Sequence, residues 1–114
     1  MSAKKLFQEV AAVALARGWR RWSNTMVVVK LNINDYEDEA GRHYNYEGLC
    51  LTYAGECVRL EIHDQDHHLS IISWNVNHFH RTFDMVTTGD QLTTQFDSIE
   101  KLKENVLDKI KCNW

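Results

Sequence analysis

Apolar residues recur along this chain with two different periods, and the switches between them mark its elements. Leu6, Val10 and Val13 fall at helical spacing with Phe7, Ala11 and Ala14 beside them, which predicts a helix over residues 3–17. Ser2 stands where an N-cap is needed, and Gly18 follows Arg17 as a natural C′ residue. Val27, Val29, Leu31 and Ile33 then alternate with Met26, Val28, Lys30 and Asn32, a first strand over 26–33. Alternation resumes over 43–53 and 56–63 and again from His68. At the C-terminal end, Ile99, Leu102, Val106 and Ile110 repeat at helical spacing with Leu107 alongside. Asp97 followed by Glu100 gives this helix, predicted over 98–111, a start like a capping box.

Turn chemistry sets the expected register. Ala54-Gly55 fits a two-residue hairpin turn, pairing Tyr53 with Glu56, Leu51 with Val58 and Leu49 with Leu60. A two- or four-residue loop after strand three places His63 opposite His68, Ile62 opposite Leu69 and Leu60 opposite Ile71. A three- or five-residue loop shifts those pairs. Strand four is expected to run towards His80, with a bulge or bend near 73–77. The polar stretch 84–96 reads as a loop or a short fifth strand.

The expected fold is therefore α+β: a four-stranded antiparallel meander, five if 84–96 adds a strand, with an N-terminal and a C-terminal helix packed on one face. Leu49, Leu51, Val58, Leu60, Ile62, Leu69 and Ile71 form the face those helices would cover. With no composition break along the chain, residues 1–114 are read as a single domain.

The same register gathers a different set on the opposite face. Tyr44, Tyr46, Gly48, Cys50 and Thr52 come from strand two, and Cys57, Arg59, Glu61 and His63 from strand three. His68, Ser70, Ile72 and Trp74 come from strand four, followed by Val76, His78 and His80 if it stays regular. Aromatic residues mixed with Arg, Glu and His have the composition of a binding surface. The alternative is a second small core covered by 84–96 or by the N-terminal tryptophans.

Composition narrows the class. The chain is 44% hydrophobic and 25% charged, as ordinary globular proteins are, and its net charge of -3 argues against a dedicated nucleic-acid binder. No apolar run is long enough to span a membrane. Lys4 and Lys5 precede a segment broken by Gln8 and Glu9, unlike a secretory signal. Cys50, Cys57 and Cys112 form no C-x-x-C pair and are odd in number, which fits reduced thiols in a cytoplasmic protein.

Five of the six histidines lie between positions 63 and 80. A strand advances about 3.3 Å per residue, so His68 and His80 would stand roughly 40 Å apart on a straight strand. One metal ion cannot join them, since its ligands must lie within about 2.2 Å. The cluster splits into a hairpin-tip pair, His63 with His68, and an i,i+2 pair, His78 with His80. Neither has a diagnostic metal spacing, and no metal or cofactor is expected. No nucleophile elbow or phosphate loop is present, so the reading leans away from an enzyme.

Trp19, Arg20 and Arg21, with Arg17 and Trp22, form a second unusual segment between the first helix and the first strand. Guanidinium and indole groups stack on bases and bind phosphates. They equally close the end of a core and cap helix carbonyls. The leading expectation is a small cytosolic protein-binding module of inhibitor, immunity or antitoxin type, in the style of phage or mobile-element proteins. It would use the acidic loop 34–41 and the aromatic and His-rich sheet face to hold a protein partner. The alternative is a nucleotide- or RNA-binding protein, sequestering or hydrolysing, that uses the Arg, Trp and His residues. Self-association into a homodimer is a third reading, and no membrane partner is expected.

Overall fold

The computed structural model describes residues 2–32, 36–37, 43–44, 47–63, 69–89 and 93–110. Their order is α1 (Ala3–Ala16), β1 (Arg20–Ser23), β2 (Met26–Asn32), β3 (Tyr36–Glu37), β4 (His43–Tyr44), β5 (Glu47–Ala54), β6 (Cys57–His63), β7 (Leu69–Asn77), β8 (Thr82–Thr87), β9 (Thr94–Phe96) and α2 (Ile99–Lys109). The α+β class is as expected, but the sheet is larger. Seven antiparallel strands pair in the order β1-β2-β5-β6-β7-β8-β9, and β3 and β4 make a separate two-stranded ribbon.

Both helices take the caps their sequences supply. The Ser2 hydroxyl accepts from the Lys5 amide at 3.1 Å. At the other end Gly18 adopts φ +97°. The Gly18 amide donates to Leu15 O at 3.1 Å and the Trp19 amide to Ala14 O at 3.0 Å. These two bonds define a Schellman motif, which turns the chain and drops Trp19 into the core. The N-cap of α2 is Ser98, whose hydroxyl accepts from the Lys101 amide, and not Asp97 as expected.

Alternation carries the β5–β6 hairpin, but its two-residue turn lies one residue further along, which moves each pairing by two. Its central residues are Gly55 and Glu56, so Ala54 meets Cys57, Tyr53 meets Val58 and Leu51 meets Leu60. Gly55 at φ +58° followed by a residue of negative φ has the sign pattern of a type II′ turn. A shift of two keeps every side chain on its expected face.

The β6–β7 hairpin corrects the expected register by one residue. His63 pairs with Leu69, Leu60 with Ile72 and Val58 with Trp74, the spacing of a five-residue connection. A one-residue shift exchanges the two faces of a strand. Ile72, Trp74 and Val76 therefore point under the helices, while Leu69 and Ile71 point away. Burying an indole and two aliphatic chains outweighs burying one Leu and one Ile.

β7 ends at Asn77 rather than His80, and a turn over 78–81 leads into β8. β8 and β9, which take in residues 84–87 and 94–96, extend the sheet edge, with Val76 opposite Phe83 and Phe83 opposite Phe96. The core between sheet and helices is built from Leu6, Phe7, Val10, Trp19, Val27, Leu49, Leu51, Val58, Leu60, Trp74, Phe83, Leu102 and Val106, with Ile110 closing its edge. The buried indole N–H of Trp74 donates to Asn105 Oδ1 at 3.2 Å, which ties α2 to the middle of the sheet. Among the described residues no helix is long and apolar enough to cross a membrane.

Candidate functional site: the helix-free face of the sheet

Both helices pack on one face, so the functional candidates are those that alternation sends to the other. One connected group lies on β6, the middle strand of the seven. Residues two apart on a strand share a face. Arg59, Glu61 and His63 therefore form a row. One Glu61 oxygen lies 3.2 Å from Arg59 Nη2, and the other 3.4 Å from His63 Nε2. The three side chains are 45%, 26% and 23% exposed. This partly exposed row is a modest electrostatic feature with a fixed geometry.

Apolar residues flank it unevenly. Towards β2 and β5, Val28 and Cys50 are buried. Towards β7 and β8, Leu69 and Val86 remain 45% and 41% exposed. Ile71 sits opposite Glu61, and Val86 opposite Ser73. From β2 to β8, the accessible apolar part of this face therefore lies over β7 and β8, bordered by the Arg59–Glu61–His63 row, while the 67% exposed Trp22 stands on the edge strand β1.

Burial disfavours the thiolate at both described cysteines. The Cys50 thiol is pushed up to about 11, chiefly by desolvation, with Glu61 adding to the rise and Arg59 opposing it. Cys57 is also raised, again mainly by burial. Among the described residues no three His, Cys, Asp or Glu side chains gather around a point where a metal ion would sit.

The structure separates the remaining sequence candidates. Trp74, expected on this face, is fully buried beneath α2, because the register differs by one residue. Trp19 is buried by the Schellman turn. Arg20 and Arg21 lie on the edge strand β1, opposite Val28 and Val27, and so face opposite ways. His78 and His80 belong to the β7–β8 turn and not to a strand. Tyr44 pairs with Tyr36 in the small ribbon. Tyr46 and His68, most of the acidic loop and Cys112 lie outside the described residues.

Sequence reasoning missed Leu69, Ile71 and Val86 as surface residues, and it missed Phe79 altogether. The signal for the first pair was in β7 itself. Its even positions read Ser70, Ile72, Trp74 and Val76, and its odd positions Leu69, Ile71, Ser73, Asn75 and Asn77. Taken over the whole strand, the even set is the more apolar. Phe79 gave no signal because its turn contains no Gly or Pro.

No protein-family model, curated protein or solved structure matches this chain.

Proposed function

We propose that this chain is a small cytosolic protein-binding module of inhibitor, immunity or antitoxin type, which holds its partner against the β7–β8 part of the helix-free sheet face. The observation that carries the reading is the asymmetry of that face. Val28 and Cys50 are buried on one side of the Arg59–Glu61–His63 row, while Leu69 and Val86 are left exposed on the other. Exposed aliphatic side chains beside a preorganised polar row give an interface its apolar centre and its polar rim. The nucleotide or RNA alternative has weaker support. Glu61 already engages Arg59, and Arg20 and Arg21 face opposite ways at the sheet edge.

The test is site-specific photo-crosslinking in a lysate of the source organism. A photoreactive residue replaces Leu69 or Val86 in one set of variants and the exposed Lys4 of α1 in the control. Discrete protein adducts are expected from positions 69 and 86 and not from position 4. Equal labelling from all three, or adducts made of RNA, would defeat the reading.

A further inference from the structure

The turn between β7 and β8 is the most exposed apolar point of the described chain, and also one of its most restrained. Phe79 is 89% exposed, far more than any other large apolar residue described. A single exposed phenyl ring on a loose loop would mean little. This turn is not loose. Asn77 closes it from inside: its Oδ1 accepts the His80 amide at 3.0 Å and its Nδ2 donates to Asp84 Oδ2 at 2.9 Å. Thr82 donates to the other Asp84 oxygen at 3.0 Å. The Asp84 carboxyl is accordingly held below its ordinary value, first by the Asn77 bond and also by Thr82, Gln95 and His80. His78 Nε2 bonds to Glu56 Oε1 and links this turn to the neighbouring β5–β6 turn. The His80 ring meets Phe79 edge-on, with centroids 4.8 Å apart.

Arg81 adds a second feature. It is the single non-glycine residue with positive φ among those described, at +55°. Left-handed backbone costs an arginine about 1–2 kcal/mol that glycine largely avoids. The hydrogen bonds that close the turn hold Arg81 in this conformation, and its guanidinium makes no ion pair among the described residues. Strain held at an exposed position points towards function.

We propose that the 78–81 turn is a preformed plug: Phe79 enters an apolar pocket on a partner protein, and the Arg81 guanidinium engages carboxylates on that pocket's rim. The proposal rests on the protein-binding reading above but not on which sheet face the partner covers. Ring and guanidinium together are the pair of side chains most often dominant in protein interfaces. Their backbone is fixed before binding, so little ordering cost is left to meet. A membrane is the poorer fit. One phenyl ring is a marginal anchor, and a chain of net charge -3 is repelled by anionic lipid.

The test uses the full chain and a phage-displayed random peptide library, selected on the wild type with counter-selection on Phe79→Ala. Enriched peptides are expected to combine apolar residues with Asp or Glu. They should bind wild type at least about 30-fold more tightly than Phe79→Ala. Phe79→Ala itself should melt as the wild type does, because its side chain is almost wholly in solvent. Arg81→Gly separates function from structure. It should raise the melting temperature by roughly 3–5 °C while weakening peptide binding several-fold. No enrichment, or peptides that bind Phe79→Ala equally well, overturns the proposal. So does an Arg81→Gly variant that is stabilised with undiminished binding. Phe79-dependent binding to vesicles of phosphatidylcholine and phosphatidylserine would assign the turn to membranes instead. If crosslinking from Leu69 succeeds while peptide binding ignores Phe79, the plug fails and the binding module stands. If both fail, the module reading falls as well.

Discussion

Along β7, neighbouring side chains have opposite fates. Trp74 and Ile72 point under the helices and are 0% and 6% exposed, whereas Leu69, on the other face of the same strand, keeps 45% of its surface in water. Both faces contain aliphatic residues, so hydrophobicity alone does not distinguish them. What distinguishes them is a covering layer. On one side Phe7, Val10, Leu102 and Val106 interlock with the sheet. On the other, alternate positions of the central strand carry Arg59, Glu61 and His63, and the apolar residues beyond them over β7 and β8 meet solvent. The covered face supplies stability, and the β7–β8 part of the helix-free face offers apolar side chains that the fold leaves in solvent. If that division is right, substitutions on the two faces should separate cleanly.

The strongest way to break the comparison is Trp74→Ala. Removing a fully buried indole from under two helices should cost about 3–5 kcal/mol, measured by urea unfolding. A loss below about 1 kcal/mol would mean that Trp74 is not packed in the core. Asn105→Ala is the gentler version. It leaves the Trp74 indole N–H without its acceptor and should cost about 1–3 kcal/mol. Trp74→Phe removes the donor as well, so the penalty of the Asn105 change should shrink in the double variant. Equal penalties in both backgrounds would show that the bond does not join sheet to helix.

The helix-free face should behave otherwise. Leu69→Lys and Val86→Lys alter partly solvated positions and should shift unfolding free energy by no more than about 0.5 kcal/mol each. Both should nevertheless abolish the crosslinked adducts expected from this surface. A large stability loss from either would mean that the fold itself covers this part of the face.

Much of this division was legible in the residues. Gly18 after an amphipathic run foretold the turn that ends α1, and the Leu49, Leu51, Val58 and Leu60 alternation foretold the core face of β5 and β6. Trp74 was misplaced because register was propagated from a hairpin loop of assumed length. One residue in loop length exchanges the faces of a strand, whereas an error of two, as at Gly55, leaves them intact. The composition of β7 as a whole carried the better signal. β8 and β9 were obscured because both are short and the polar run Thr87-Thr88-Gly89-Asp90 after Val86 reads as a loop. Phe79 was hidden for another reason: its turn uses Arg81 in the left-handed conformation, where turn chemistry leads one to look for glycine.

Asp84 sharpens the same hairpin through pH. Its folded-state carboxyl is held low by Asn77 and then Thr82, so it contributes stability above the ordinary carboxylate range. That contribution should disappear as pH falls through the depressed folded value. Asp84→Asn should flatten this acid limb of a stability–pH profile, and an unchanged limb would exclude Asp84 as its source.

The smallest effect tests the buried half of the helix-free face. Cys50 lies there beside Glu61 in the sheet, and burial holds its thiol up at about 11. Below the ordinary value of 9.0 the thiol is protonated in both folded and unfolded chains, so it contributes no pH dependence. Between 9.0 and about 11 the unfolded chain ionises and the folded one does not, so stability falls as pH rises through that window. Cys50→Ser should remove the Cys50 share of that fall and leave the share of Cys57, whose thiol burial also raises. In the native chain, alkylation at neutral pH followed by mass spectrometry should label Cys50 far more slowly than an unfolded control, since only the thiolate reacts. Fast labelling would show that water and reagent reach the β2–β5 side as freely as they reach Leu69. The asymmetry of the face would then vanish, and with it the reason for placing a partner over β7 and β8 rather than across the whole sheet.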